Sequence, residues 1–220
     1  MPAPSFPTEP ASVLLDGPAG ALELAVDPAE GPPVPAVAVF CHPLPTEGGT
    51  MHNKVVTMAT RALREVGVDT VRFNFRGVGA SQGHFDDGNG ETEDLVAVAS
   101  WVRAQRPAAA LWLGGFSFGA YVALRAAPTL QPAFMLSIAP PVRRSWDFDA
   151  LLLPTCPWLV IQGEADEIVD PQAVYAWIEA MATPPQLVRM PDTSHFFHRR
   201  LMDLRGAVKN GVRPWLPSAA

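Results

Sequence analysis

The stretch LWLGGFSFGA at residues 111–120 is the most informative feature of this chain. Its three leading apolar residues predict a buried strand, and the residues after Ser117 have the pattern of a helix. Gly115 and Gly119 flank the serine, and glycines permit a turn so tight that the hydroxyl stands exposed above a sheet. Ser117 is therefore a candidate nucleophile. Serine is also a favoured helix N-cap, so its partners must decide between the two roles.

Short apolar runs alternate with amphipathic stretches on both sides of this turn, which is typical of an α/β fold. Residues 53–66 place apolar side chains on one helical face, and residues 91–105 open with acidic residues that suit a helix N-terminus. Two further helices are expected to start near Ser117 and Pro171. Strands are predicted at residues 12–15, 21–26, 36–40, 71–75, 111–113, 134–138, 158–161 and 187–190.

The first two predicted strands flank a turn-rich segment, residues 16–20, and therefore predict an antiparallel hairpin. The hairpin is expected at one edge of a mostly parallel, twisted sheet with helices on both faces. The length of 220 residues, 48% of them hydrophobic, suits one domain with a sizeable core. We expect a flexible Pro-rich tail at residues 1–10 and a single domain over residues 11–220.

Charge and composition narrow the classes of partner. With 22 acidic and 16 basic side chains the net charge is -6, and the longest basic clusters are pairs. Nucleic acids and anionic membranes are bound through clustered Lys and Arg, so neither is expected as a partner. The first residues carry neither a basic start nor an unbroken apolar stretch, which predicts no secretory signal or membrane anchor. We therefore expect a cytoplasmic protein.

The partners of Ser117 are expected in loops after later strands, because functional groups collect at the carboxyl ends of parallel strands. The loop GEADEIV at residues 163–169 offers an acid, and the loop PDTSHFFH at residues 191–198 offers a base. A serine hydroxyl becomes a good nucleophile when an imidazole takes its proton and a carboxylate orients that imidazole. Asp166 competes with Glu164 and Asp170 as the acid, and His195 competes with His198 as the base.

Five segments together carry a resemblance to a known family. They are HPLP at residues 42–45, RGVGAS at 76–81, the serine turn, GEAD at 163–166 and SHF at 194–196. With these segments the chain resembles the alpha/beta-hydrolases, close to the lidless bacterial hydrolases of the dienelactone-hydrolase and esterase kind. The resemblance runs from about residue 12 to the C-terminal helix. It implies that Ser117 is the nucleophile, Asp166 the acid and His195 the general base.

The resemblance also implies an oxyanion hole made of two backbone N–H groups. One belongs to Phe118, directly after the nucleophile. The other comes from the loop after the strand that precedes His42, where Leu44 is expected because Pro43 and Pro45 have no N–H to donate. Residues 46–49 are an alternative source of the second donor.

Substrate size is limited by the connection at residues 139–157, which is too short for a cap domain. An open site favours small or extended acyl groups. Phe116, Phe118, Trp146 and Phe196 are predicted to line the acyl site, and Phe148 and Phe197 are further aromatic candidates, about half of the six being expected to touch a ligand.

The sequence thus predicts a serine hydrolase that cleaves small-molecule carboxylic esters through an acyl-enzyme, a carboxylesterase without cofactor or metal. A thioesterase or a peptide hydrolase would use the same three side chains. A non-catalytic scaffold of the same fold is the alternative from another class, and an intact nucleophile, acid and base argue against it. The spacing of His195 and His198 could suit metal ligands, but no Glu or Cys cluster accompanies them.

Overall fold

A computed structural model describes residues 3–218, which form an eight-stranded sheet and five α-helices. The strands are β1 (Ala11–Gly17), β2 (Gly20–Asp27), β3 (Ala36–Cys41), β4 (Asp69–Phe73), β5 (Ala110–Phe116), β6 (Phe134–Ile138), β7 (Trp158–Gly163) and β8 (Gln186–Met190). The helices are α1 (Lys54–Glu65), α2 (Asn89–Gln105), α3 (Phe118–Leu130), α4 (Pro171–Glu179) and α5 (Leu201–Val212).

The strands lie in the order β1-β2-β4-β3-β5-β6-β7-β8. β1 and β2 form an antiparallel hairpin, with Ala11 opposite Val26, and β2 is antiparallel to β4. Every other neighbouring pair is parallel. The predicted α/β fold with an antiparallel hairpin at one edge is therefore confirmed.

Helices cover both faces of the sheet, so alternate side chains of a central strand are buried in two different cores. In β3 all six residues are buried, because a strand at the centre of a two-sided sheet needs apolar side chains on both faces. Val37 and Val39 contribute to the core under α2, α3 and α4, whereas Ala38 and Phe40 contribute to the core under α1 and α5. Because β3 to β8 run parallel, their carboxyl ends lie at the same edge of the sheet.

Glu65 joins the two helices on the second face. It is the last residue of α1, and its carboxylate accepts hydrogen bonds from Arg205 at 2.8 and 2.9 Å and from Lys209 at 2.9 Å, both on α5. Arg61 adds an ion pair at 3.3 Å. The hydrogen bond from Arg205 is the main reason that the pKa of Glu65 falls to about 2, against the opposing effect of burial.

Removing this carboxylate is expected to weaken the fold in a pH-dependent way. Because the pKa of Glu65 is lower in the folded than in the unfolded chain, its contribution is complete above about pH 5 and is lost as the pH falls towards 2. Allowing for solvent screening, Glu65→Gln should lower the free energy of unfolding by about 2 kcal/mol at pH 7, and the difference should shrink on acidification. Urea titrations at several pH values measure it.

Glu30→Gln is the matched control for that experiment. Glu30 pairs with Arg64 at 2.7 Å, but its side chain is 42% exposed. An exposed pair contributes little, so this variant should lose less than about 1 kcal/mol. Equal losses in the two variants would contradict the special role of Glu65.

Two residues of the N-terminal segment, Pro4 and Phe6, contact helix α2. The Phe6 ring stacks on Trp101 of α2 with 5.5 Å between the ring centroids, and the Arg106 guanidinium lies 5.0 Å from the centre of the Phe6 ring. The indole N–H of Trp101 donates to the carbonyl of Pro4 at 2.8 Å. An aromatic side chain of this segment thus packs on an apolar surface of α2, while the flexible tail over residues 1–10 stays a prediction. Residues 1 and 2 lie outside the described residues.

The connection between β6 and β7, residues 139–157, contains no helix or strand. The predicted absence of a cap domain is therefore confirmed.

Candidate active site

Ser117 occupies the sharp turn that the sequence predicts. β5 ends at Phe116, and α3 begins at Phe118. The serine between them has φ 53° and ψ -121°, a backbone conformation that residues other than glycine rarely adopt. Its backbone N–H donates to the carbonyl of Ile138 at 2.8 Å, which ties the turn to the end of β6. Backbone strain held in this way by its surroundings is typical of functional turns.

The two flanking glycines are required by close backbone contacts. A Cβ atom on Gly115 would lie 2.2 Å from the carbonyl group of Gly119. A Cβ atom on Gly119 would lie 2.4 Å from the carbonyl oxygen of Cys41, at the end of β3. Neither neighbour is a flexible side chain, so the strand and the helix could not approach each other this closely with larger residues.

Gly119→Ala is therefore expected to destabilise the protein by about 3 kcal/mol, because the new methyl group must displace the main chain of β3. Gly206→Ala is the control, since no atom lies within 4 Å of the position of its Cβ in α5. That change should raise stability by about 0.5 to 1 kcal/mol, through the helix propensity of alanine. Denaturant unfolding of both variants measures the difference, and similar effects in the two would contradict the close-contact argument.

His195 lies in the loop after β8, and its imidazole contacts Ser117. Its Nε2 is 3.1 Å from the Oγ of Ser117, and its Nδ1 is 2.8 Å from the Oδ2 of Asp166. His195 is 2% exposed, and the Phe116 ring packs against its imidazole with 5.0 Å between the ring centroids. The Oε2 of Glu167 accepts the backbone N–H of His195 at 3.1 Å. His195 is thus held both at its ring and at its main chain.

Asp166 follows β7, and its carboxylate is set by its own turn. Oδ1 accepts the backbone N–H groups of Ile168 at 2.9 Å and Val169 at 2.7 Å. Burial acts to raise the pKa of Asp166, but the hydrogen bond with the His195 side chain, helped by those two amides, outweighs it, so the pKa lies below its ordinary value. Asp166 is therefore ionised at neutral pH.

The rival acids have other partners. Glu164 forms an ion pair with Arg189 at 2.8 Å. Asp170 caps α4, because its side chain accepts the backbone N–H of Gln172 at 3.0 Å. Of the three acids, Asp166 is the one whose carboxylate contacts His195.

The other two histidines near this edge do not contact Ser117. His42 is buried, with its Nδ1 2.7 Å from the carbonyl of Pro43 and its Nε2 accepting the backbone N–H of Phe75 at 3.1 Å. Since Nε2 accepts, Nδ1 carries the proton and the ring is neutral. Burial lowers the pKa of His42 to about 4, which keeps it so. His198 is exposed, and its ring lies 6.1 Å from that of Phe196.

Two backbone N–H groups are candidates for an oxyanion hole. Among residues 3–218 neither Leu44 nor Phe118 donates its amide to another group. The alternative donors are mostly occupied, since the amides of Glu47, Gly48 and Gly49 all close the turn on the carbonyls of Leu44 and Pro45. The local hydrogen bonding therefore favours Leu44 over residues 47–49 as the second donor.

The predicted aromatic lining needs a correction. Phe116 and Phe118 are fully buried, as are Phe148 and Phe197 within a few per cent, so their side chains belong to the core. Phe118 keeps a role in the site only through its backbone. Phe196 is 38% exposed, and its ring lies 5.1 Å from that of His195. Trp146 is partly buried, packs 4.9 Å from the Phe118 ring and donates its indole N–H to Asp87 at 3.1 Å.

The contact of Glu167 with the loop of His195 was not predicted from the sequence. Glu167 directly follows the candidate acid in the chain, but nothing in the local pattern shows that its carboxylate would accept the backbone N–H of His195. Within residues 3–218 no group of three or more His, Cys, Asp or Glu side chains is placed to hold a metal ion. None of the described helices is long and apolar enough to cross a membrane.

Most of this chain matches a known family model and a protein of another organism. A family model described as an alpha/beta hydrolase domain matches residues 36–209. An uncharacterized protein of Rickettsia prowazekii is 32% identical over 209 residues, which are 90% of this chain and 87% of that protein.

Two solved structures are similar over almost their full length. A Xanthomonas campestris protein described as an a/b serine hydrolase without lid is 63% identical, with a TM-score of 0.95, and the match covers 99% of this chain and 100% of that one. An alpha-beta serine hydrolase homologue of Coxiella burnetii is 43% identical, with a TM-score of 0.91, over 94% of this chain and 100% of that one.

Proposed function

This chain belongs to the alpha/beta-hydrolase family, and from that membership we propose that it is a serine hydrolase that cleaves carboxylic esters. Its fold and its serine hydrolase relatives support hydrolase activity in general. The observation that carries the proposal is the continuous contact from Ser117 through His195 to Asp166, with distances of 3.1 and 2.8 Å. A side chain that served only as a helix N-cap would not need these partners.

The proposed reaction proceeds in two steps. His195 takes the proton of Ser117 as its Oγ attacks the ester carbonyl, and Asp166 stabilises the imidazolium that forms. The amides of Phe118 and Leu44 donate to the oxyanion, which collapses and expels the alcohol with the proton from His195. Water, deprotonated by His195, then attacks the acyl-enzyme and releases the acid, and the proton returns to Ser117.

Small or extended acyl groups are the proposed substrates. The loops at the carboxyl edge carry no cap, and the core takes up the side chains of Phe116 and Phe118, so no deep aromatic pocket is built from them. Phe196 presents an exposed ring beside His195, where it can contact the part of the substrate nearest the reacting carbonyl.

Hydrolysis of p-nitrophenyl esters of increasing acyl length tests the proposal, with a thioester and a peptide amide of the same acyl groups assayed alongside. A carboxylesterase should turn over the oxygen esters most efficiently. Preference for the thioester or the amide would replace the ester proposal with a thioesterase or a peptidase. A fluorophosphonate probe separates enzyme from scaffold, because it labels an activated serine, and a chain that neither hydrolyses nor is labelled would be a scaffold.

A further inference from the structure

Gln162 is a buried amide in an otherwise apolar strand. It follows Trp158, Leu159, Val160 and Ile161 in β7, and its side chain is fully buried. An uncharged polar side chain in this position loses its hydration on folding, and apolar residues would fill the same space without that loss. The position therefore calls for a reason other than packing.

Hydrogen bonding fixes which way the amide points. Its Nε2 lies 3.1 Å from the carbonyl oxygen of Gly163 and 3.0 Å from the Oδ2 of Asp166. Both neighbours are acceptors, so the nitrogen and not the oxygen must face them. The Oε1 of Gln162 is buried and has no partner among residues 3–218. An unpaired buried acceptor is unfavourable. Gln162 therefore donates hydrogen bonds to two neighbouring acceptors while its own carbonyl oxygen receives none.

The two oxygens of Asp166 are held by different parts of the chain. Oδ1 is bound by the backbone amides of Ile168 and Val169, which belong to its own turn. Oδ2 is bound by Gln162 from the preceding strand and by the Nδ1 of His195 at 2.8 Å. Without Gln162, the carboxylate could pivot about Oδ1, and only the imidazole itself would oppose that movement.

We propose that Gln162 is a positioning residue, which holds the Oδ2 of Asp166 in line with the Nδ1 of His195. It acts through Asp166 and touches neither the serine nor the substrate. The inference rests on the proposed function insofar as it concerns turnover, because an imidazole gains charge only when Ser117 reacts. A carboxylate already fixed in place stabilises that charge without having to reorient. The hydrogen bond from Gln162 to Asp166 therefore stabilises the transition state more than it stabilises the resting enzyme.

Gln162→Met tests the proposal, because methionine has a similar length, no donor and no strong acceptor. We expect kcat to fall about ten-fold, as for the loss of one hydrogen bond to a charged group, with KM within about two-fold of the wild type. Removing the unpaired Oε1 offsets the lost hydrogen bonds, so the melting temperature should stay within about 3 °C. Gln162→Leu, with another shape and equally without a donor, serves as a second variant.

A spectroscopic readout separates positioning from packing. The proton shared by an imidazole and a carboxylate gives a proton NMR resonance far downfield of the amide region, and in the Gln162 variants it should shift or broaden. Ser137→Ala is the matched control. Its hydroxyl is buried in the adjacent strand β6, where it accepts the indole N–H of Trp158 at 3.0 Å. That variant should lose stability but keep both kcat and the resonance.

Four results decide whether Gln162 positions Asp166. An unchanged resonance in both Gln162 variants, or a kcat within about two-fold of the wild type, would overturn the proposal. The same kcat loss in Ser137→Ala would assign the effect to general packing and overturn it too. The resonance is measured without substrate, so a wild type that hydrolyses no ester but whose resonance moves in Gln162→Met would refute the proposed function and retain the positioning role.

Discussion

Ser117→Ala should lower kcat for ester hydrolysis by about 10⁴- to 10⁶-fold, the loss expected when the nucleophile of a three-residue unit is removed. The hydroxyl oxygen contacts His195 at 3.1 Å, and the backbone of the turn is held by contacts that alanine retains, such as the bond from its N–H to the carbonyl of Ile138. Stability should therefore stay close to that of the wild type. Steady-state kinetics with p-nitrophenyl esters and thermal unfolding measure the two quantities.

Ser194→Ala is the matched control, because it removes the same atom one residue before His195. The Oγ of Ser194 is buried and has no partner among residues 3–218, so its loss should leave turnover within about two-fold and stability equal or slightly higher. Intact-mass analysis after fluorophosphonate treatment should show one adduct on the control and none on Ser117→Ala. Turnover that survived in Ser117→Ala would show that another residue is the nucleophile.

His195→Ala is the second large effect that we expect, again about 10⁴- to 10⁶-fold in kcat, because the hydroxyl of Ser117 then has no base to accept its proton. Its imidazole packs against Phe116 and Phe196, with ring centroids 5.0 and 5.1 Å away, so a modest loss of stability should accompany the change. Kinetics and fluorophosphonate labelling should fall together, since both depend on an activated serine.

His198→Ala separates the two histidines of this loop. His198 is exposed, and its ring lies 6.1 Å from that of Phe196, so the variant should keep most of the activity. A nearly inactive His198→Ala with an active His195→Ala would mean that the base has been assigned to the wrong residue. Partial losses in His198→Ala would reflect its neighbour Phe196 and should appear in KM.

The serine turn could be predicted because its causes are local. Gly115 and Gly119 stand at fixed distances from Ser117, and the apolar run before them forms the strand, so the motif can be recognised in a few consecutive residues, although the contact that excludes a side chain at Gly119 is with Cys41 of β3. The cap of α4 is equally local, because Asp170 precedes Pro171 and bonds to the amide two residues later. Asp166 could be separated from Glu164 only by resemblance, since both acids lie in one loop, whereas the position of Asp170 before Pro171 is that of a helix cap.

The aromatic lining could not be predicted from closeness to Ser117 in the chain. Phe116 and Phe118 are its immediate neighbours, but the turn sends one side chain into the core beneath α1 and α5 and the other into the core beneath α2, α3 and α4. The sequence places both beside the serine. The direction of each side chain depends on where the strand ends and the helix begins.

The α/β fold, the edge hairpin and the sharp turn at Ser117 could be predicted from the sequence, because periodicity and turn motifs depend on near neighbours in the chain. The three residues of the proposed catalytic unit could be named from motifs together with the family resemblance. The contacts of Gln162 with Asp166 and of Glu167 with the backbone of His195, the exposure of Phe196 and the packing of Phe6 on α2 appear only in the folded structure. Such contacts join residues that are distant in the chain or lie on neighbouring loops, and they form only when the strands are paired in register.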